Sequence, residues 1–272
     1  MSRILVVGPG YIGQPLSKAL VADGHEVSAL RRSNGAIDGV QLIQHDLSKD
    51  SQLELPHFDE IVFCLSPGSR ELNAYKNIYV NGVRRVLDAL PQEAKSLYFI
   101  SSTGVYSEND GAWVDEGTVL ISEEGTRSQI LQEAESQIIA ACENHYVFRF
   151  GGIYGPGRTR LVQKLKDGLE PPSQRPYYTN RIHQDDGVGV LRHFVSKRPN
   201  PGIYNVVDSD RADINDMISW ARKNWSVNAC QAATMRQGQN KRVSNRKLLG
   251  TGYRLLVESF RDSYGRLSNR RS

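Results

Sequence analysis

Short, almost unbroken apolar runs alternate along this chain with longer stretches in which apolar positions recur every three or four residues. The short runs are "RILVVG", "HEVSALR", "VQLIQHDL", "DEIVFCLS", "SLYFISS" and "HYVFRF". Apolar on both faces, they read as strands covered on each side by helices. Between them lie helical patterns from Tyr11 to Ala22, from Arg70 to Leu90 and over roughly Glu123 to Cys142. This alternation through residue 150 predicts an α/β fold with a doubly wound parallel sheet, a Rossmann-like arrangement. Beyond it the texture becomes turn-rich, with "GPGR", "EPPSQRP" and "KRPNPG". The expected organisation is a core of residues 1–154, with 181–207 returning to the sheet. Residues 155–180 and 208–272 would form a small substrate lobe over the carboxyl ends of the strands, where such sheets bind ligands.

Composition narrows the class. With 39% hydrophobic and 24% charged residues, the chain of 272 residues is that of an ordinary soluble globular protein. No apolar run approaches the ~18–20 residues that a membrane span requires. The chain enters its first strand within a few residues, too soon for a signal peptide. Three cysteines, Cys64, Cys142 and Cys230, form no close pair, which fits a cytoplasmic location. The net charge of +4 is uneven: from Ala221 onward there are 12 Lys and Arg against Glu258 and Asp262. That tail therefore carries +10 and the rest of the chain −6. It would face an anionic small molecule, or simply be solvated. No aromatic platform or recognition helix accompanies it, so nucleic acid is not the expected partner. The last stretch, "RLSNRRS", reads as a frayed end. The six histidines make no metal-ligand spacing with one another or with cysteine, and neither a P-loop nor a nucleophile elbow is present.

Between the first strand and its helix lies "VVGPGYIGQPL", which sets Gly8, Gly10 and Gly13 in a G-x-G-x-x-G array around Tyr11 and Ile12. The first glycine permits a tight turn, the second lets a pyrophosphate approach the backbone, and the third allows close packing of helix on strand. The anion would rest on the helix N-terminus. The second strand ends at Arg31 and Arg32 rather than at the acidic residue that an NAD site offers to ribose hydroxyls. Two guanidinium groups suit a 2′-phosphate, so NADP is favoured and NAD kept as the alternative. Asp46 in "QHDL" would accept a hydrogen bond from the adenine amino group, or be an ordinary strand-end aspartate. Ser101, Ser102 and Thr103 close the fifth apolar run with hydroxyls suited to catalysis, or to capping their neighbours.

Together "GPGYIG", "HDL", "YVNGVRRVLDAL", "ISSTGVYS", "WVDE", "FRFGGIYGPGR", "RIHQDDG" and "GIYNVVD" resemble, in order and spacing, the NAD(P)-dependent epimerase/dehydratase branch of the short-chain dehydrogenase/reductase superfamily. The resemblance implies an extended-type Rossmann fold with a C-terminal substrate lobe. By motif, Ser102 takes the catalytic hydroxyl position and Asn81 that of an active-site asparagine. Leu47, Leu65 and Ser66 match backbone lining the cofactor, and Gly152, Ile153 and Tyr154 the segment beside the nicotinamide. The helix at Asn73–Leu90 matches one that often pairs with a copy of itself, making a homodimer an option.

The family's other catalytic element is a Tyr and a Lys four residues apart on one helical face, where the lysine eases proton exchange by the phenol. That helix falls on "TRSQILQEAESQII", which has neither residue; aligned on Glu135, Arg127 and Leu131 stand in the two places. None of the twelve tyrosines is followed four residues later by lysine; Tyr154/Arg158 and Tyr177/Arg181 have the spacing with arginine, a poor proton relay. The chain in this respect resembles atypical members of the superfamily that lack the dyad. Tyr106, Asp115, Glu116, Tyr154 and His183 are the acid–base candidates, each with a packing or capping role as its competing reading. Alternatively Ser102, Thr103 and the cofactor suffice. The expected activity is that of an NADP(H)-dependent oxidoreductase or epimerase/dehydratase on a small hydroxylated, keto or nucleotide-sugar-like substrate, with Arg181, His183, Lys241 and Arg242 on its anionic group. The alternative is a catalytically inactive dinucleotide sensor or scaffold.

Overall fold

The computed structural model describes residues 1–49, 51–169, 176–225, 227 and 239–269. Cys230, most of "EPPSQRP" and the basic residues Arg236, Arg270 and Arg271 lie outside the described residues.

Seven strands form one sheet: β1 (Arg3–Val7), β2 (Glu26–Arg31), β3 (Gln41–Gln44), β4 (Glu60–Phe63), β5 (Ser96–Ser102), then β7 (His145–Phe150) and β10 (Gly202–Val206), with β6 (Ala112–Val114) lying outside it. Their order is β10-β7-β5-β4-β1-β2-β3. The β1–β2, β2–β3, β1–β4 and β4–β5 pairs are parallel, and Val7 is in register with both Leu30 and Phe63. The chain thus runs outward from β1 in one direction and then returns to build in the other, so the switch point falls between β1 and β4. The interior of β1 and all of β4 are fully buried, which is why these runs lack polar alternation.

Helices α1 (Gly13–Ala22), α2 (Leu72–Tyr75), α3 (Gly82–Asp88) and α4 (Arg127–Ala141) fall where the 3.6-residue periodicity predicts them. The segment expected as one helix from Arg70 to Leu90 is instead broken: a π-helical stretch, Lys76–Asn81, separates α2 from α3. Strand β3 stops at Gln44, short of the "HDL" turn, because Asp46 Oδ1 accepts hydrogen bonds from the backbone N–H (3.1 Å) and hydroxyl (2.7 Å) of Ser48. The remaining elements are β8 (Gly152–Tyr154), α5 (Arg160–Lys166), β9 (Arg181–His183), α6 (Gln184–Lys197), α7 (Ile214–Trp225), β11 (Lys241–Val243), α8 (Arg246–Gly250) and α9 (Phe260–Asn269). Part of the expected frayed end is therefore the last turn of α9.

Contacts divide the chain into two compact units. The first takes Met1–Val105, Ile121–Arg149 and Val188–Tyr204, around a core that includes Leu5, Val7, Phe63, Val83, Phe99 and Ile138. The second takes Tyr106–Leu120, Phe150–Gly187 and Asn205–Ser272, around Tyr154, Val162, Leu165, Met217, Phe260 and Tyr264. Two short parallel pairs, β6 with β11 and β8 with β9, belong to the second unit. Among the described residues no helix is long and apolar enough to cross a membrane.

Candidate functional site

Every candidate in the first unit sits on the sheet's carboxyl edge or on the helices beside it. Gly8 leaves β1 at φ +80°, a left-handed conformation that side chains avoid; its N–H donates to Leu30 O at 2.9 Å. A Cβ added there would lie 2.9 Å from the Cys64 carbonyl oxygen, and one on Gly13 would lie 3.0 Å from Gly8 O and 3.2 Å from both Cys64 Cβ and Val6 Cγ1. At Gly10 the nearest atom to such a Cβ is 3.9 Å away, so this face of the loop is open. Two glycines thus pack the turn against β4, while the third leaves room for something to approach the main chain. Ile12, the residue before α1, supplies no side-chain cap, whereas Thr126 caps α4 by accepting from Gln129 N at 3.2 Å. Pro15, the third residue of α1, has no N–H, and Gln14 N donates to Gly10 O at 3.0 Å, so what the start of α1 offers an anion is the Gly13 N–H. Tyr11 is half-buried and Ile12 buried.

Arg31 and Arg32 stand at the end of β2, adjacent to β1, with Arg31 half-buried and Arg32 exposed. Arg31 Nη2 donates to Ser33 Oγ at 2.8 Å. Asp46 follows β3, its carboxyl held below the usual range chiefly by Ser48, with Arg32 and Lys49 adding to this. Leu47 is buried, and its carbonyl accepts from Arg85 Nη1 at 2.8 Å. Past β4, Leu65 is buried and accepts from the Tyr79 hydroxyl at 3.3 Å, while Ser66 is exposed.

Asn81 is the last residue of the π-helical stretch, and its Nδ2 donates to Asn77 Oδ1 at 3.1 Å. Such wide turns cluster at functional sites because they re-aim the side chains around them; no pattern in "YKNIYVNG" signals one. Ser102 ends β5, and its Oγ accepts from Gly104 N at 3.0 Å; the neighbouring Thr103 is buried. Ser101 donates instead to Glu135, which pairs with Arg149 at 2.7 Å, both partners buried. This buried trio ties α4 to β5 and β7. Of the residues at the dyad positions, Arg127 is exposed, its Nε donating to Arg70 O at 3.0 Å and its guanidinium 5.3 Å from the Tyr75 ring. Leu131 is buried. Neither offers a group that exchanges a proton near neutrality.

The other candidates belong to the second unit. Gly152, Ile153 and Tyr154 form β8 and align with Arg181, Ile182 and His183 of β9. The Tyr154 hydroxyl lies 3.2 Å from Ser263 Oγ, and burial pushes its phenol up, away from the range useful for proton exchange at neutral pH. His183 Nδ1 accepts from Asp185 N at 3.3 Å. Tyr106 is buried and donates to Asn205 Oδ1 at 2.8 Å; Glu116 accepts from Asn205 N at 2.7 Å, and Asp115 from Gly117 N at 3.0 Å. Lys241 is buried, donating to the Tyr106 carbonyl and to Gln239, and burial lowers its ammonium to about 8. Arg242 donates to Gly111 O at 2.8 Å and lies 5.1 Å and 4.9 Å from the Trp113 and Tyr178 rings. Arg181 differs from both: its Nε and Nη2 are buried with no hydrogen-bond partner among the described residues. Four groups the sequence did not single out share this property: Glu108 Oε2, Gln137 Oε1, and, beside Arg181, the Asp208 carboxyl and the Tyr264 hydroxyl. No cluster of three metal-ligating side chains occurs among the described residues.

A parallel sheet with an open glycine turn at its switch point defines a dinucleotide-binding class of protein, and comparison with known proteins agrees. The chain belongs to the NAD dependent epimerase/dehydratase family, whose model matches residues 4–205. A solved Methylobacillus flagellatus structure described as an NAD-dependent epimerase/dehydratase superposes with a TM-score of 0.79 at 32% identity, covering 98% of this chain and 97% of that one. The Bacillus cereus UDP-glucuronic acid 4-epimerase, in complex with UDP-glucuronic acid and NAD, gives 0.78 at 18% identity over 97% and 96% of the two chains. The human epimerase family protein SDR39U1, with NADPH, gives 0.73 at 20% identity over 98% and 100%. The last two likenesses are of fold alone.

Proposed function

We propose that the protein is an NADP(H)-dependent oxidoreductase or epimerase/dehydratase acting on a small hydroxylated or keto substrate, including nucleotide-sugar-like ones. The observation that carries this reading is the glycine turn, closed at Gly8 and Gly13 but open at Gly10, ahead of a helix with no side-chain cap. A dinucleotide fits these residues. Gly10 would let its pyrophosphate approach the main chain, and Arg31 and Arg32 would take a 2′-phosphate where an acidic residue would take ribose hydroxyls. Asp46 would receive the adenine amino group, and the turns at Leu47, Leu65 and Ser66 would line the pocket. When bound, the cofactor would supply or accept a hydride. Ser102 would hold the substrate oxygen by a hydrogen bond, with Thr103 and Asn81 supporting its orientation, and Gly152 to Tyr154 would flank the nicotinamide. Support for NADP comes from Arg31 and Arg32; of the structural neighbours, the human protein is in complex with NADPH and the Bacillus cereus epimerase with NAD.

The test is a calorimetric titration of the protein with NADPH and NADH at fixed salt. NADPH should bind at least tenfold tighter, ~1.4 kcal/mol, with the advantage lost in an Arg31→Ala/Arg32→Ala double variant. Equal affinities would retire the 2′-phosphate reading; binding of neither would sink the whole proposal. A second reading, cofactor binding without turnover, is favoured by Arg127 and Leu131 at the dyad positions. It predicts tight NADPH binding but no consumption with any carbonyl substrate, whereas the enzyme reading predicts turnover slowed by Ser102→Ala.

A further inference from the structure

The second unit contains a cluster of buried polar groups whose bonding capacity is unspent. Arg181, the first residue of β9, is 4% exposed, and its Nη1 lies 2.7 Å from the Met217 sulfur. Its guanidinium carbon is 5.3 Å from the Phe260 ring centre and 5.8 Å from that of Tyr264, both on α9. The other edge of the fork, Nε and Nη2, is buried and has no partner among the described residues. Asp208, 1% exposed, is its neighbour, for its N–H donates to the Arg181 carbonyl at 2.6 Å. By hydrogen-bond geometry neither Asp208 carboxyl oxygen nor the Tyr264 hydroxyl, all buried, has a partner among the described residues, although the Asp210 N–H and the Arg181 guanidinium lie close enough to lower the two groups. The Tyr264 ring is 5.4 Å from that of Tyr154.

Leaving a buried donor or acceptor unpaired costs about 1–3 kcal/mol, and more for a charge. Folded proteins tolerate few such groups, so five orphaned atoms on three neighbouring residues call for an occupant. No hydrogen bond joins the Arg181 and Asp208 side chains among the described residues, although the guanidinium's charge acts to lower the carboxyl. Burial raises the Asp208 carboxyl to about 8, so near neutrality it carries a proton and offers an O–H. The cluster then consists of donors around one uncompensated positive charge. Water would satisfy the hydrogen bonds but not the charge. An anion satisfies both. The two N–H groups on the Nε/Nη2 edge are parallel and coplanar, which matches the two oxygens of a carboxylate.

We propose that Arg181, Asp208 and Tyr264 form an internal receptor for a carboxylate group of the substrate, gripped side-on by the Nε/Nη2 edge of Arg181. The inference rests on the proposed assignment of the second unit to substrate, and it narrows the substrate to one carrying a carboxylate. Lys241, which donates to the Tyr106 carbonyl and to Gln239, and Arg242, whose Nε donates to Gly111 O beside two aromatic rings, would then brace the unit rather than touch the ligand.

Formate, the smallest carboxylate, is the probe. The full chain is titrated with sodium formate, sodium phosphate or sodium chloride at matched ionic strength, following thermal unfolding and calorimetric heat. A saturable stabilisation by formate beyond chloride is expected, with phosphate no better than chloride. Arg181→Lys keeps the charge but loses the fork and should weaken formate about tenfold; Tyr264→Phe should weaken it about three- to tenfold. The Tyr264 variant also guards against a lysine variant that fails to fold. The proposal is overturned if formate acts as chloride does, if phosphate binds as well as formate, or if both variants bind formate as the parent does. NADPH titration of the same samples separates the two readings: intact NADPH binding with no formate effect sinks this one alone. Saturable formate binding with no NADPH binding sinks the cofactor reading alone.

Discussion

An alanine Cβ at Gly8 would be 2.9 Å from a main-chain oxygen and would force a side chain to φ +80°. Neither can be relieved by moving a flexible group, so Gly8→Ala should cost about 1–3 kcal/mol, a fall of several degrees in Tm. Gly10→Ala meets nothing closer than 3.9 Å and needs no unusual φ, so its Tm should stay within about a degree of the parent. Yet it fills the space proposed for the pyrophosphate and should weaken NADPH at least tenfold. Thermal unfolding and NADPH titration of the two variants separate the roles; a stable Gly10→Ala protein with unchanged affinity would show that the open face is not used. The G-x-G-x-x-G spacing was legible in the sequence. What was not legible is that Gly8 and Gly13 are both closed by Cys64, a residue at the end of β4, because spacing says nothing of what the sheet brings alongside.

The clearest gap between expectation and observation at the level of elements is α4. Its amphipathic pattern could be read from the sequence, and so could the lack of Tyr and Lys on it, but the expected start near Glu123 missed the Thr126 cap. The role of its buried Glu135 could not, because the partner Arg149 is the one charge inside the apolar run "HYVFRF". A glutamate on a helix's buried face and a lone arginine in a buried strand were together the available signal. Breaking such a pair strands a charge: Glu135→Gln or Arg149→Met should each lose about 3–5 kcal/mol in urea unfolding. Replacing both, as Glu135→Leu with Arg149→Met, should recover most of that loss. Additive losses in the double variant would mean that the pair is not the unit holding α4 to β5 and β7. The π-helical stretch before α3 left no trace in the residues, since the same apolar spacing serves a regular helix.

Across the whole molecule, the alternation of strand and helix foretold the sheet, while the +10 count of the C-terminal tail said less than it promised. A count of charges ignores burial: Lys241 is inside, Arg242 lies against two aromatic rings, and Arg261 pairs with Asp210 at 2.6 Å. The same blindness hid Asp208, an ordinary aspartate in "NVVDS" until folding buries it. Its environment makes a prediction about global stability. Burial raises the carboxyl to about 8, outweighing Arg181, Arg211 and the Asp210 N–H, which favour its ionised form, while the Asp210 charge adds to the rise. The unfolded chain releases this proton near pH 4, so between about pH 4 and 8 unfolding sheds a proton and stability must fall as pH rises. The contribution is full below pH 4 and gone above about 8, about 5–6 kcal/mol for a rise from near 4 to about 8. At the acid end, Asp59 acts in the opposite sense: the Arg3 N–H, then Lys95, lower it to about 2, so its smaller contribution is lost as pH drops below 4. Unfolding followed by urea from pH 5 to pH 9 should therefore show a decline that Asp208→Asn flattens, because the amide has no proton to release. A parent whose stability is level across that range would mean that Asp208 is ionised in the folded protein and paired with Arg181 after all, leaving no uncompensated charge for a carboxylate to meet.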